Sequence, residues 1–329
     1  MIWCAAFKTG WRNRNRNRNR NRNCLRPTNV YKTDHVIRFH SPTFPTSLTH
    51  SMIIYLQCLC RSCLLSIGLL CALPGPVSAH EFWMLAQPAS IAPGGATRLS
   101  LNVGEYFTGD VVAFSIQYVA ALRHIAAGVD QDLVSRVAKT ATVGEFPIRL
   151  EKPGSHLFAY DSHPNRITLG GEKFHAYLHD EGMDEIVRQR EQAGTGATPA
   201  RERYRRYVKT LVEVGGKSDQ SFGVHTGQRF EIVPVNNPLT ATVGDTLNFL
   251  LLFEQKPLAN ALVKAWYQNG DQTVMIRART DDDGKFAFDL PYAGTWMLSV
   301  VHMIPTTDSR EDDWDSLWGN LTFSLKPHP

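Results

Sequence analysis

Cysteine stops early in this chain. All six cysteines (Cys4, Cys24, Cys58, Cys60, Cys63, Cys71) lie in the first quarter of a 329-residue sequence. The remainder can build no disulfide, thiolate metal site or cysteine nucleophile. Long apolar runs are missing too: the longest, residues 53–73, is interrupted by Arg61, and a membrane span needs roughly 20 apolar residues. There is no Gly-x-Ser-x-Gly elbow, no phosphate-binding glycine loop and no dinucleotide fingerprint, which removes the common hydrolase, nucleotidase and dehydrogenase classes. Acid is scarce at the front, where Asp34 alone stands against eleven Lys and Arg before His80. That segment carries +10, so the whole-chain charge of +4 leaves 4 − 10 = −6 for residues 80–329. The basic character belongs to the front, and a nucleic-acid partner loses its electrostatic support.

What the front does contain is punctuated. Residues 12–23 alternate Arg and Asn, a low-complexity tract with no apolar face to bury. From Met52 onward the grammar is that of a signal peptide. Arg61 gives a positive n-region, residues 63–73 an apolar h-region, Pro74-Gly75-Pro76 a helix break, and Val77-Ser78-Ala79 the small residues a signal peptidase requires. Residues 1–51 are therefore expected to be untranslated or disordered, with Met52 as initiator, and residues 52–79 to be removed. Cleavage after Ala79 makes His80 the first residue of an exported, cysteine-free protein, suited to a bacterial periplasm or to secretion.

The rest reads as mainly β, in two Ig-like β-sandwich domains with a helical insertion between them. Alternating strand-like runs with Gly and Pro turns fill residues 80–168, and the same grammar returns in residues 225–329. Asp281-Asp282-Asp283-Gly284 reads as a hairpin turn. Between the sandwiches, residues 169–215 switch period. Phe174, Tyr177, Leu178, Met183, Ile186 and Val187 fall near helical spacing, and so do Tyr204, Tyr207, Val208 and Leu211, which predicts two helices joined by the 193–200 linker. Arg201, Arg203, Arg205 and Arg206 are expected to form a solvated, ion-paired face.

Several stretches together resemble one family. They are Ala79-His80-Glu81-Phe82-Trp83, the run from Phe174 to Asp184, and the run from Arg201 to Leu211. Phe230 to Pro234, Asn237-Pro238, Lys256-Pro257-Leu258, and Gly294-Thr295-Trp296 through His302-Met303 complete the set. The chain is similar to the exported bacterial domain of unknown function 4198, sometimes labelled a periplasmic component of nickel or cobalt uptake. The resemblance covers essentially all of residues 80–329. It implies export, β-sandwich architecture and a link to divalent metals, and it supplies no catalytic residue.

Nine histidines follow Ala79, and imidazole without cysteine favours Ni, Cu or Zn over thiolate centres. His80 leads, because an N-terminal histidine chelates one ion through its α-amine and Nδ1 together. His163 and His302 stand nine and eight residues after Gly154 and Gly294, so duplicated sandwiches would place both at equivalent strand ends, where loops carry function. His175 and His179 share one helix face at i, i+4 and form a weaker candidate pair, without the glutamate of a zinc protease. The expected function is a periplasmic binding protein for a divalent transition metal (Ni, Co or Cu), with His80, His302 and His163 as ligands and an inner-membrane metal transporter as partner. Two alternatives stay open: an Ig-like protein- or carbohydrate-interaction module without metal, and a copper histidine-brace oxidative enzyme. Trp314 and Trp318 are expected to fold onto the second sandwich.

Overall fold

In the computed structural model, residues 80–137, 144–270 and 272–328 are described. The Arg-Asn tract, the expected signal peptide and its expected cleavage site lie outside the described residues. Residues from Val77 onward form one compact unit, built from three sheets. The first layer holds β1 (Glu81–Gln87), β3 (Gly95–Glu105) and β4 (Thr108–Val112) in the order β1-β3-β4, with β7 (Phe146–Leu150) also on β3. The third layer holds β11 (Phe230–Pro234), β12 (Thr246–Phe253) and β13 (Lys256–Pro257), with β16 (Lys285–Asp289) on β12.

A ten-stranded sheet serves both. Its strands are β5 (Val119–Ala126), β6 (Val129–Asp132), β8 (Gly154–Ser162), β10 (Ala200–Val214), β14 (Leu262–Asn269), β15 (Gln272–Arg279), β17 (Gly294–Pro305) and β18 (Trp314–Leu325). They run in the order β15-β14-β17-β18-β10-β8-β5-β6, and β2 (Ser90–Ile91) and β9 (Asn165–Leu169) attach to β10. The fold is mainly β, with the sandwiches drawing on one continuous sheet.

Strand β10 explains how the halves join, and it corrects the expectation of a helix over residues 201–214. It pairs in parallel with β18, from Glu202↔Trp314 to Thr210↔Thr322, and antiparallel with β8. Tyr204, Tyr207, Val208 and Leu211 do fit helical spacing, but Tyr207 and Leu211 belong to the apolar core beneath the third layer while Thr210 faces the other way, toward Met84. A central strand covered on both faces buries a continuous run and loses its period-two signature. Val208, Thr210, Val212 and Val214 supply the β-branched stiffness that a strand favours. The helical segment is therefore shorter than residues 169–215. It consists of α1 (Gly171–Asp180) and α2 (Asp184–Gln192), with Glu172 and Asp184 placed at the positive ends of their helix dipoles.

The two faces of the central sheet differ in kind. Against the third layer, Trp296, Leu298, Val300, Leu321 and Phe323 interdigitate with Phe249, Leu251 and Phe286. Each such side chain contributes roughly 1.5–3 kcal/mol on burial. On the opposite face, Phe174, Tyr177, Leu178 and Ile186 of the helix pair dock on Val301, Met303 and Trp314. Trp314 and Trp318 thus lie in β18 and pack beneath the helices, not on the second sandwich as expected. Trp83 and Phe107 of the first layer meet Trp266 and Met297.

Candidate functional site

His80 stands at the head of β1. The register Glu81↔Gly104 brings it beside Glu105, whose Oε1 is 3.4 Å from His80 Nε2, and the His80 side chain is 64% exposed. A carboxylate that holds Nε2 leaves Nδ1 as the ring nitrogen able to accept or coordinate. Glu105 also starts a tight hairpin: Glu105 pairs with Thr108, and the two residues between, Tyr106 and Phe107, have φ of 55° and 61°. Two-residue hairpins of this form favour Asn-Gly, so two aromatics at positive φ are strained, and such strain concentrates at functional sites. Phe107 turns inward against Trp83, while Tyr106 remains 53% exposed with its edge toward Trp266.

Below His80 lies a buried polar layer. Alternation along β1 turns Glu81 inward, where Ser299 Oγ donates to it at 2.8 Å and Trp266 Nε1 donates to Ser299 at 3.0 Å. Lys264 and Glu181 pair at 2.7 Å in the same layer. Burial pushes the Glu81 carboxyl up to about 7, and repulsion from Glu181 adds to this, while Lys264, Ser299 and Arg206 oppose it. Nearby, Glu202 accepts from Ser316 and from Tyr177 at 3.4 Å, and Trp318 Nε1 donates to Ser316 at 3.3 Å. Asn320 is 3% exposed and neither atom of its amide has a hydrogen-bond partner; Arg206 Nε is likewise unpaired. Buried polar atoms left single in this way mark room for water or ligand contact.

The other predicted residues do not converge on His80. His302 sits within β17 rather than at its end. Strand parity places it with Val300 and Leu298 on the opposite face from Ser299, between Phe253 (ring centroids 4.7 Å) and Phe230 (6.0 Å). Burial, with the Arg229 charge adding, lowers its pKa to about 4. His163 follows β8, and its N–H donates to Tyr118 O at 2.9 Å. The registers His302↔Leu317, Leu317↔Arg205 and Tyr204↔Asn165 put it three strands from His302, which is about 14 Å at the usual strand spacing. His175 and His179 are both exposed on α1. His179 Nδ1 lies 3.2 Å from Asp184 Oδ1, in a shallow groove of about 240 Å³ shared with Arg277 and Arg279. Among the described residues no group of three His, Cys, Asp or Glu side chains is placed to hold a metal ion.

One pair escaped the sequence reading. His124 Nε2 and His156 Nδ1 are 2.8 Å apart, and His156 Nε2 contacts Lys152 O at 2.8 Å. A carbonyl only accepts, so His156 carries its proton on Nε2 and accepts from His124 through Nδ1. Both rings are neutral in that arrangement, and burial lowers His124 to about 4. The pairing of β5 with β8 creates this contact, and nothing in the local sequence announces it.

This is a mainly β protein of sandwich architecture with its polar layer under the first strand. The chain belongs to the family described as Domain of unknown function (DUF4198), whose model matches residues 77–304. No curated protein matches the chain. Among solved structures it is similar to a tetra-tandem repeat in the extending region of a large adhesion protein (9% identity, TM-score 0.20, covering 75% of this chain and 50% of that one). It is also similar to a trypsin-activated alpha-2-macroglobulin from Escherichia coli (10%, 0.20, 77% and 16%) and to murine CEACAM1b (9%, 0.17, 75% and 100%). The chain spans half or less of the first two.

Proposed function

We infer that this is an exported protein that captures a divalent transition metal, Ni, Co or Cu, at its mature N-terminus and passes it to an inner-membrane transporter. The observation that carries the reading is the exposed His80 with Glu105 on its Nε2. Metal-bound histidines characteristically donate their second ring N–H to a carboxylate, which fixes the tautomer and strengthens the other nitrogen as a ligand. Cleavage after Ala79 turns the backbone nitrogen into an amine, so the donor set becomes amine, imidazole Nδ1 and water. Nitrogen donors of this kind suit Ni and Cu over Mg or Ca. His302 is not required: strand parity sets it on the opposite sheet face from Ser299, which bonds Glu81, and His163 lies three strands from His302. The brace enzyme needs a further histidine facing His80, and His302 cannot take that role from the opposite face.

The test is a calorimetric titration of residues 80–329, carrying a native N-terminus, with Ni, Co, Cu and Zn. The same titration is repeated with one alanine added before His80. Loss of at least about tenfold in affinity on extension is expected, the size associated with removing a metal-supporting group. Equal affinity in both proteins removes His80 from the site, and no binding in either leaves the interaction module.

A further inference from the structure

A second cleft lies away from His80 and from the His179 groove. It measures about 560 Å³ and opens between the turn after α2, the start of β10 and the loop 306–313, within the size range of small-molecule sites. Its charges do not cancel locally. Asp313 is taken by Arg201, through Nε at 3.1 Å and NH2 at 2.6 Å, and by the Arg201 backbone N–H at 2.8 Å. Asp312 is taken by Arg166 Nε at 2.9 Å and by the Ser309 hydroxyl at 2.9 Å. The exposed Glu311 lies 4.0 Å from the same Arg166. Two guanidinium groups in the lining then have no carboxylate within ion-pair distance among the described residues: Arg190 and Arg310.

Their settings are complementary. Arg190 is 7% exposed, lies over the Phe174 ring, and donates through NH2 to Thr195 O (2.8 Å) and Thr198 O (2.7 Å). Its position is thus fixed by two carbonyls, neither of which neutralises it. A buried cation without a counter-ion is costly, and Asp313 acts on it only at longer range. Arg310 is exposed on the facing loop. Its carbonyl is held by Arg201 NH1 at 3.1 Å, which anchors its backbone while its side chain lines the cleft. The Thr306 hydroxyl, also in the lining, is buried and has no hydrogen-bond partner. A buried cation, an exposed cation and an unused hydroxyl are the elements of an oxyanion receptor.

We propose that this cleft binds a small oxyanion, carboxylate or phosphate, between Arg190 and Arg310 with the Thr306 hydroxyl donating, while Trp314 and Pro199 wall the body of the ligand. The site is independent of His80. The test is calorimetric titration of the protein of residues 80–329, which lies within the compact unit, with inorganic phosphate and, separately, with succinate, at ionic strength held constant by sodium chloride. Saturable binding of at least one is expected. Arg310→Ala weakens it about tenfold, the size of one charge-assisted hydrogen bond, and Thr306→Val weakens it about threefold. An alanine placed before His80 leaves it unchanged. Binding of phosphate alone assigns a phosphoryl ligand, and binding of succinate alone a carboxylate. Saturation by neither anion, or wild-type affinity in Arg310→Ala, overturns the proposal. Arg310 is exposed and unpaired with any carboxylate, so its variant retains the fold, and its unliganded melting temperature checks this.

Discussion

On the face of the central sheet turned to β11, β12 and β16, neighbouring strands present Trp296, Leu298, Val300, Leu321 and Phe323. One residue along the same strands, on the face turned to β1 and the helices, stand Ser299, Lys264, Trp318 and Asn320. The backbone is shared, so the difference comes from what covers each face. A sheet seals the first, and apolar packing dominates it, with the Lys209–Glu231 pair as the buried exception. A single strand with a short helix pair roofs the second, and the gaps are filled by ionisable groups that bond one another. The polar face is also where β1 starts, so the ionisable layer and the exposed His80 lie on the same side.

The sharpest challenge to this contrast is Lys209, a buried cation on the apolar side paired with Glu231 and with Ile232 O. Lys209→Ala leaves the Glu231 carboxylate buried without its counter-ion, held only by Thr226, and should cost about 3–5 kcal/mol, read by urea unfolding. The double replacement Lys209→Met with Glu231→Leu should recover most of that loss. Next in size, Leu298→Ala should cost about 2–5 kcal/mol through its cavity. Its neighbour Ser299→Ala, which removes one hydroxyl from a polar chain, should cost about 1 kcal/mol. Equal losses at these two positions would mean that the faces are energetically alike.

The faces should also respond to pH in opposite senses. Glu81 titrates near 4.5 when unfolded and about 7 when folded. Between these values the folded state holds more protons, so this group's contribution makes stability fall as pH rises. His302 moves from 6.5 to about 4. Over that window the unfolded state binds the proton first, so its contribution is lost as pH falls. Each gives a slope of up to ~1.4 kcal/mol per pH unit. The groups facing Glu81 are Glu181, Lys264, Ser299 and Arg206, and those facing His302 are Arg229, Glu254, Phe230 and Phe253. Chemical denaturation of Glu81→Gln and His302→Gln from pH 4 to 8 should flatten opposite limbs of the wild-type profile. A Glu81→Gln profile parallel to the wild type between pH 4.5 and 7 would remove the buried carboxyl from the account. The smallest stability effect belongs to Glu105→Gln, within about 0.5 kcal/mol for an exposed pair. The same change should weaken metal affinity about tenfold if Glu105 supports His80.

How far the sequence reached can be judged from single elements. The turn at Asp281–Gly284 was legible because its chemistry is local: Gly284 has φ of 72°, and Asp281 accepts from the backbone N–H groups of Asp283 and Lys285. Gly154 and Gly294, read as the starts of matching strands, do open β8 and β17 at positive φ. β10 was misread because two-sided burial erases the alternation that identifies strands. The arginines at 201, 203 and 205 are ion-paired as expected, but to Asp308, Asp313 and Asp315 across a strand pair, and Arg206 is drawn inward over Phe82. His302 was expected at a strand end but lies within β17, and its ring neighbours Phe253 and Phe230 come from β12 and β11, distant in sequence.

The sequence by itself determined the family, the mainly β class, the turns, the helical character after Gly171, and the strands whose one-sided burial leaves a period of two. All of these depend on chemistry within a few residues. Only the tertiary structure decided which face each alternating side chain occupies and which charges end up sharing a layer. Strand order and register are set by non-local pairing, and shifting a residue by one position along a strand moves it from one face of the sheet to the other.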